Sequence, residues 1–287
     1  MGMIGTVGLV LHPARDCGSA MRTITRWAHT RKVGVLGLTH EAARITGEAT
    51  AVEAEYLAER ADLVVSLGGD GTMLRAMRLV RGCRAPVLGV NVGRLGFLAE
   101  IDVPELAGAL SAIDEHRFTV EPRSGVRATF ASQDTAAFND VVLIRIPGKG
   151  SVAAVELRVE GHPFVRYAAD AVIVATPTGS TAYSFSAGGP IVSPNAEGLL
   201  VSPVAPHSAF NRALFLSSGE KLTLDVLPTS AELAVEADGR VVGHVCPGDV
   251  VDLTLLPAAA QVVRLGLTTF YQRAQRRLRL TGSAEVD

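Results

Sequence analysis

The chain of 287 residues is long enough for one large domain or two ordinary ones. Its net charge of −2 gives no general attraction to nucleic acid or to membrane surfaces, and no apolar run reaches membrane-spanning length. With 48% hydrophobic residues, we expect a full core and apolar surface left for a homo-oligomer. Three cysteines without disulfide or metal spacing, and no signal-peptide pattern, predict a cytoplasmic protein.

Strand and helix patterns alternate over the first 116 residues. The predicted strands are 4–11, 33–36, 63–67 and 86–90. The predicted helices are 18–30, with Met21, Ile24 and Trp27 facing inward, 48–60, with Tyr56 and Leu57 facing inward, one from about 72, and 104–116. This alternation predicts a Rossmann-like, open parallel sheet whose ligands bind at the carboxyl ends of the strands.

After residue 121 the pattern changes to short alternating runs. Val155, Leu157 and Val159, for example, alternate with charged residues, and at least seven such runs are separated by Gly, Pro and Asp turns. Period-two alternation predicts antiparallel sheets with one wet face. We therefore expect a second, all-β domain resembling a sandwich over residues 122–267, after an α/β domain over residues 1–121.

The last twenty residues, 268–287, return to a helical pattern. Phe270, Ala274 and Leu278 make one apolar stripe, and we expect this segment to return to the α/β domain. A basic cluster in the same segment predicts a solvated helix face: Arg273, Arg276, Arg277 and Arg279.

A glycine-rich loop, Gly68-Gly69-Asp70-Gly71-Thr72, lies between a predicted strand and a predicted helix. Glycines let a ligand approach the backbone closely, and the first turn of a helix has unpaired N–H groups that suit phosphate. A carboxylate in such a loop repels phosphate unless it binds a metal or takes a proton from a nucleophile. The loop therefore favours phosphoryl transfer, and the alternative is a tight turn with an aspartate cap.

A second glycine segment, residues 91–98, follows the strand predicted at 86–90 and lies on the same sheet edge. Arg75 and Arg94 flank the two glycine loops. We expect them either to offset phosphate charge or to be ordinary surface arginines.

Residues 176–183 are rich in hydroxyl groups and include one tyrosine, Tyr183. Hydroxyl groups donate to phosphate and accept from amides, so the segment suits a polar ligand, although a Ser/Thr-rich turn is the alternative. Upstream, Asn139-Asp140 opens a predicted strand, and this pair either contacts adenine and ribose or forms a turn. Ser180 does not stand in the Gly-x-Ser-x-Gly pattern of a hydrolase nucleophile elbow.

Together, residues 68–72, 91–98, 139–140, 170, 176–183 and 187–190 resemble the NAD kinase family in order and spacing. The resemblance covers about residues 60 to 275. It implies an α/β domain carrying the glycine loop, a β-rich domain carrying the NAD site, and a C-terminal segment that returns to the first domain. It also implies dimers or tetramers, with NAD between the domains and touched by a neighbouring subunit.

The resemblance also implies roles for single residues. Asp70 is the general base facing the adenosine ribose 2′-hydroxyl. The glycine loop holds the donor phosphates, and the charge of the neighbouring arginine offsets theirs. The residues of this phosphate site are Gly68, Gly69, Gly71, Thr72 and Arg75. NAD is bound by Asp70 and Gly71 together with a further set: Phe97, Asn139, Asp140, Asp170, Thr178, Thr181, Ala182, Tyr183, His207 and Asn211.

Within that set, Phe97 resembles the ring packed on adenine, and Asn139 and Asp140 resemble the family's Asn-Glu/Asp motif on adenine and ribose. Asp170 resembles a carboxylate near the nicotinamide. The chain departs from the family twice, because Asp140 stands where many members have Glu, and Ala171 stands where Gly is usual.

The implied reaction transfers a phosphoryl group from ATP, or from polyphosphate, to NAD and gives NADP. It implies Mg²⁺ or another divalent cation, with no fixed protein ligands other than Asp70 as a candidate. Two alternatives stay open at this point, a lipid kinase of the diacylglycerol or sphingosine type and a non-catalytic NAD-binding regulator. The sequence does not distinguish NAD from NADH as acceptor.

Overall fold

The computed structural model describes residues 4–45, 48–93, 96–149, 152–207 and 210–280. The chain divides into two compact units, one formed by Met1–Pro122 with Ala260–Asp287 and the other by Arg123–Ala259. Among the described helices, none is both long and apolar enough to cross a membrane. The domain boundaries expected from sequence at residues 121–122 and 267–268 stay predictions.

The elements follow one another along the chain as two contrasting series. The first strands are β1 (Thr6–Leu11), β2 (Gly34–Leu38), β3 (Thr50–Val52), β4 (Leu63–Gly68), β5 (Val87–Asn91) and β6 (Ile101–Asp102). The later strands are β7 (Thr119–Phe130), β8 (Gln133–Ala137), β9 (Asp140–Arg145), β10 (Ala153–Val159), β11 (His162–Ala169), β12 (Ala171–Ala175), β13 (Gly198–Val204), β14 (Leu214–Ser217), β15 (Leu222–Val226), β16 (Leu233–Ala237), β17 (Arg240–Val245) and β18 (Val250–Arg264). The helices are α1 (Gly18–Arg31), α2 (Ala54–Arg60), α3 (Asp70–Leu79), α4 (Leu106–Asp114), α5 (Tyr183–Ser186) and α6 (Phe270–Leu278), with 3₁₀ turns at Thr39–Arg44, Val103–Glu105 and Thr178–Thr181.

The first unit is built on a parallel sheet with the strand order β5-β4-β1-β2-β3. The strands are almost wholly apolar because helices cover both faces. On one face α1 and α4 pack through residues such as Met21, Ile24 and Leu110. On the other, Gly8 leaves room for Leu57 of α2, since a Cβ at position 8 would lie 2.5 Å from that side chain. The predicted α/β architecture is confirmed.

One predicted helix in this unit is partly wrong. Residues 50–52 form β3, which pairs in parallel with β2, and α2 begins only at Ala54. Thr50 and Val52 are β-branched, and pairing with a neighbouring strand decides the conformation of so short a run. The shorter helix buries Leu57, while Tyr56, expected to face inward, is 49% exposed.

The second unit contains two antiparallel sheets. One has the order β14-β13-β12-β9-β16-β17. In the other, β11, β10, β15 and β18 are neighbours and β7 pairs with β8 and β18. Inward-facing residues of both sheets, such as Leu157 and Leu224 from one and Val172 and Val235 from the other, form a single core. The expected β-sandwich-like domain is confirmed.

The helix α6 belongs to the first unit and begins with a capping box between Thr269 and Gln272. Its buried residues are Arg273 and Ala274. The prediction of a solvated basic face is therefore wrong for Arg273, because a buried carboxylate, Glu100, accepts a hydrogen bond from its guanidinium group.

Candidate active site

The glycine loop joins β4 to α3. The helix begins at Asp70, two residues before the predicted start, and the amides of Thr72 and Met73 donate to the carbonyl of Gly69. A Cβ at position 68 would lie 2.1 Å from Thr72 Oγ1, so the sharp turn requires glycine there. The loop therefore presents a helix N-terminus at the carboxyl end of a buried strand.

The Asp70 carboxylate is held by the second glycine segment. Its Oδ2 atom accepts from the amide of Phe97 and its Oδ1 atom from the amide of Leu98, both at 3.0 Å. A Cβ at position 96 would lie 2.2 Å from Asp70 Oδ1, so Gly96 permits this approach. The two glycine segments, separate in sequence, thus fix the orientation of one half-buried carboxylate.

A cavity of about 310 Å³ opens beside this loop. Its lining combines loop backbone with basic side chains: His12, Pro13, Gly69, Gly71, Thr72, Arg75 and Arg78. Helix-terminal amides and cationic side chains together suit a phosphate chain. The cavity therefore has the chemistry expected of a site for a phosphate donor.

His12 directly follows β1 and is a cavity residue that the sequence analysis missed. Its Nδ1 atom accepts from the amides of Ala14 at 3.1 Å and Arg15 at 3.0 Å, so the proton of the neutral ring lies on Nε2. Burial lowers the pKa of His12, and the nearby charges of Arg15, Arg44 and Arg75 lower it further. His12 is therefore a neutral hydrogen-bond donor rather than a cation at neutral pH.

Arg75 lines the cavity, but its charge is paired inside the protein. Its Nη2 atom donates to the buried carboxylate of Glu41 and to the carbonyl of Leu11. Glu41 also accepts from the amide of Leu11 at 3.0 Å. This pairing fixes the guanidinium group at the end of β1. Arg94, the other arginine expected to offset phosphate charge, lies outside the described residues.

In the second unit, the Asn139-Asp140 pair and the hydroxyl-rich segment are in direct contact. The amide of Thr176 donates to the carbonyl of Asn139 at 2.8 Å, and Thr176 Oγ1 donates to the carbonyl of Phe138. A Cβ at position 179 would lie 2.0 Å from the Asn139 carbonyl oxygen, so Gly179 allows this close packing. Two segments that are distant in sequence thus form one polar surface.

Asp140 is the most perturbed carboxyl group of this surface. It is 4% exposed, and burial raises its pKa from 3.8 to about 7, with contributions from the charges of Asp238 and Glu236. Asp238 is held nearby, because its carboxylate accepts from the amides of Phe138 and Asn139. The environment therefore disfavours a negative charge on Asp140 until a hydrogen-bond donor compensates it.

Tyr183 and Asp170 belong to the same electrostatic environment. Burial raises the pKa of Tyr183, and the charges of Glu236, Asp170 and Asp140 add to this effect. Asp170 precedes β12 and accepts from Arg145 Nε at 2.6 Å, so its charge is already paired. The segment therefore presents a phenol beside carboxylates.

The remaining expected NAD contacts differ in exposure. Thr178 is 8% exposed, whereas Thr181 and Ala182 are half-buried beside it. His207 and Asn211 are both exposed.

The described residues contain no group of three or more His, Cys, Asp or Glu side chains arranged to hold a metal ion. In the described part of the chain, Asp70 is therefore not part of a group of side chains that could hold a metal ion by themselves.

Comparison with known proteins identifies the family. Residues 7–118 match the model of the ATP-NAD kinase N-terminal domain, and residues 138–265 match that of the C-terminal domain. NAD kinase 1 of Streptomyces avermitilis is 38% identical over 96% of this chain and 87% of its own. The chain belongs to the NAD kinase family. The predicted resemblance is confirmed.

Solved structures of NAD kinase relatives have the same fold. An NAD kinase from Archaeoglobus fulgidus in complex with ATP superposes with a TM-score of 0.72, at 26% identity over 96% of this chain and all of its own. Yeast NADH kinase complexed with NADH gives a TM-score of 0.86, at 24% identity over 99% of this chain and 89% of its own, and shows the fold alone.

Membership in the NAD kinase family supports an ATP-dependent phosphotransferase, and it does not support the lipid kinase or the non-catalytic regulator. The sequence analysis missed His12, Glu41 and Asp238 as residues of the two sites. A signal was present for His12, because a histidine directly after a parallel strand lies on the ligand-binding edge of the sheet. Asp238 carried no such signal, since it lies about a hundred residues from the amides that it binds.

Proposed function

We propose that the enzyme transfers the γ-phosphoryl group of ATP to the 2′-hydroxyl of the adenosine ribose of NAD and releases NADP. The observation that carries this proposal is the Asp70 carboxylate, fixed by two amides beside a phosphate-binding loop. A lone, oriented carboxylate at such a loop suits a base for an alcohol acceptor.

Asp70 acts on the acceptor, and the cavity beside it holds the donor. The 2′-hydroxyl is a weak nucleophile, and Asp70 orients it and takes its proton. Phosphoryl transfer otherwise requires alignment and charge neutralisation more than covalent help. We assign these tasks to the glycine loop and to the guanidinium group of Arg75: Gly68, Gly69, Gly71, Thr72 and Arg75.

Mg²⁺ or another divalent cation is proposed to enter with the donor phosphates. When bound, it neutralises the charge on the transferring phosphoryl group and its leaving group. The support is membership in the NAD kinase family, whose members generally depend on a divalent cation.

The polar surface of the second unit is proposed to bind NAD. The Asp140 carboxylate accepts hydrogen bonds from ribose hydroxyls, and the Asn139 amide hydrogen-bonds to adenine or ribose. Tyr183 completes the site together with three residues of the adjoining loop, Thr178, Thr181 and Ala182. Phe97 packs on adenine, Asp170 lies toward the nicotinamide, and His207 and Asn211 are proposed as peripheral contacts. The support is the direct contact between the Asn139 and Gly179 segments.

A product assay tests the function. The pure protein, ATP, Mg²⁺ and NAD are incubated and NADP is measured, with diacylglycerol as an alternative acceptor. We expect NADP and no phosphorylated lipid. Parallel reactions with polyphosphate as donor and with NADH as acceptor determine the substrate range. Binding of NAD without formation of NADP would contradict the proposal.

Asn139→Ala tests the assignment of the acceptor site. We expect the KM for NAD to rise about 5- to 150-fold, the equivalent of roughly 1–3 kcal/mol for a hydrogen bond lost at a buried partner, while the KM for ATP changes little. The two constants are measured in the same initial-rate assay. A rise in the KM for ATP instead would contradict the division of roles between the two units.

Gly71→Ala tests the donor site, and Gly108→Ala is its matched control. Both glycines are exposed, lie in helices and have no heavy atom within 4 Å of an added Cβ. Both variants should therefore be as stable as the parent or up to about 1 kcal/mol more stable, since Ala favours a helix over Gly. We expect only Gly71→Ala to raise the KM for ATP, by about tenfold, because its methyl group enters the cavity. Equal kinetics in both variants would remove Gly71 from the donor site.

A homo-oligomer, dimer or tetramer, located in the cytoplasm is also proposed. Its support is the apolar composition together with exposed aromatic side chains of the second unit, Phe164 at 53% and Phe215 at 42%. Three free cysteines suit a reducing compartment. We expect sedimentation at micromolar concentration to give a species larger than the 30.0 kDa chain. A single species of that mass would contradict the oligomer.

A further inference from the structure

The segment that holds Asp70 is itself anchored by a buried carboxylate. Glu100 lies three residues after Phe97 and two after Leu98, and its own amide donates to the carbonyl of Gly89 at 2.9 Å. The Glu100 side chain is 1% exposed. It is thus an ionisable group wholly inside the first unit, and the proposed reaction assigns it no role.

Two arginines share the Glu100 carboxylate. Arg264 Nη1 donates to Oε2 at 2.8 Å, and Arg273 Nη1 donates to the same oxygen at 3.3 Å. The amide of Leu265 donates to Oε1 at 2.8 Å. These arginines are also buried, with side chains 8% and 6% exposed. Both carboxylate oxygens are therefore fixed by groups near the C-terminus of the chain.

The same arginine reaches the segment that carries the Asp70 amides. Arg264 Nη1 lies 3.4 Å from the carbonyl oxygen of Leu98, while the amide of Leu98 donates to Asp70 Oδ1 at 3.0 Å. A continuous path of contacts therefore runs from Arg273 through Glu100 to Arg264, and from Arg264 through the backbone of Leu98 to Asp70.

A purely stabilising role explains this cluster poorly. Buried ion pairs lose hydration that their mutual attraction only partly returns, and apolar replacements of similar volume are often neutral or stabilising. A cluster of fixed geometry beside a catalytic carboxylate can instead keep that carboxylate in position. Position matters because displacement of a reacting group by about 1 Å can lower the rate about a hundredfold.

We propose that Glu100 is a positioning residue for Asp70. Its carboxylate, neutralised by Arg264 and Arg273, holds the backbone of residues 97–100 so that the two amides keep Asp70 oriented toward the acceptor hydroxyl. Glu100 touches neither substrate. This inference rests on the proposed function, in which Asp70 is the base.

Glu100→Gln tests the inference, with Glu156→Gln as the matched control. Glu156 is also a buried glutamate bound by two arginines, Arg166 at 2.7 Å and Arg158 at 3.1 Å, but it lies in β10 of the second unit. We expect Glu100→Gln to lower kcat about tenfold and to change the KM of ATP and of NAD less than about twofold. Glu156→Gln should change kcat less than about twofold. Thermal unfolding confirms that each variant is folded at the assay temperature.

A double-mutant cycle separates positioning from a general structural effect. If Glu100 acts through Asp70, Glu100→Gln lowers the residual kcat of Asp70→Asn by less than about twofold, because the group that it positions is gone. An equal loss in both backgrounds, or equal kcat values for Glu100→Gln and Glu156→Gln, would overturn the inference. Near-normal turnover by Asp70→Asn alone would instead contradict the proposed function.

Arg273→Met supplies a second variant in case Glu100→Gln does not fold. It removes one partner of Glu100 and leaves the Arg264 contact in place. We expect kcat to fall about threefold in the parent and to stay unchanged in the Asp70→Asn background, the same signature at smaller size. A folded Arg273→Met protein with the kcat of the parent would overturn the proposed path from α6.

Discussion

Asp70→Asn is expected to lower kcat at least about a hundredfold while NAD still binds. Asparagine has the same size, but it cannot take a proton from the 2′-hydroxyl. In the parent, the amides of Phe97 and Leu98 donate to different oxygens of the Asp70 carboxylate. Asparagine has only one side-chain oxygen to accept from them. Turnover is measured as formation of NADP, and NAD binding by calorimetry.

Asp252→Asn is the control for the loss of one carboxylate. Asp252 is exposed and accepts a hydrogen bond from Thr223 Oγ1 at 3.2 Å in the second unit. Its replacement should leave kcat and both KM values unchanged. Near-normal turnover in Asp70→Asn would remove Asp70 from the role of base, and loss of NAD binding would make it a binding residue instead.

The second large effect concerns the dependence of stability on pH. The pKa of Asp140 is raised from 3.8 to about 7, chiefly by burial and then by Asp238 and Glu236. Below about pH 4 this carboxyl is protonated in both the folded and the unfolded protein. Between about pH 4 and pH 7 the unfolded chain loses the proton first, so the free energy of unfolding falls as the pH rises.

Asp140→Asn removes this dependence. We compare the free energies of unfolding of the two proteins, taking the variant minus the parent. This difference should rise between about pH 4 and pH 7, by up to about 4 kcal/mol, and then stay level. Urea denaturation of both proteins at several pH values measures this difference, in which the titration of groups that do not interact with Asp140 cancels. A difference that does not change over this range would show that Asp140 ionises normally in the folded protein.

The α/β half could be predicted well because its strands and helices carry their own patterns. Met21, Ile24 and Trp27 are buried in one stripe, as their spacing predicted. The errors lie where a partner distant in sequence decides. Residues 50–52 became a strand because β2 was available for pairing, and Arg273 became buried because Glu100 neutralises it.

The residues of the candidate sites also fall into those that could be predicted from sequence and those that could not. The glycine loop could be located from sequence, since strand, glycines and helix are contiguous there. The amides that hold Asp70, however, come from residues 97 and 98, and the carboxylate that binds the amides of Phe138 and Asn139 comes from Asp238. Such contacts depend on the register of the folded chain, and no local pattern encodes them.

The division of the chain also bears on its biosynthesis. The second unit is continuous, from Arg123 to Ala259, whereas the first needs both Met1–Pro122 and Ala260–Asp287. A ribosome therefore delivers every residue of the second unit before the first unit is complete. Until Arg264 and Arg273 leave the exit tunnel, Glu100 has neither of the cations that neutralise it in the native protein. The first unit, although its N-terminal part is synthesised before the second unit, reaches its final packing only after Arg264 and Arg273 have left the ribosome.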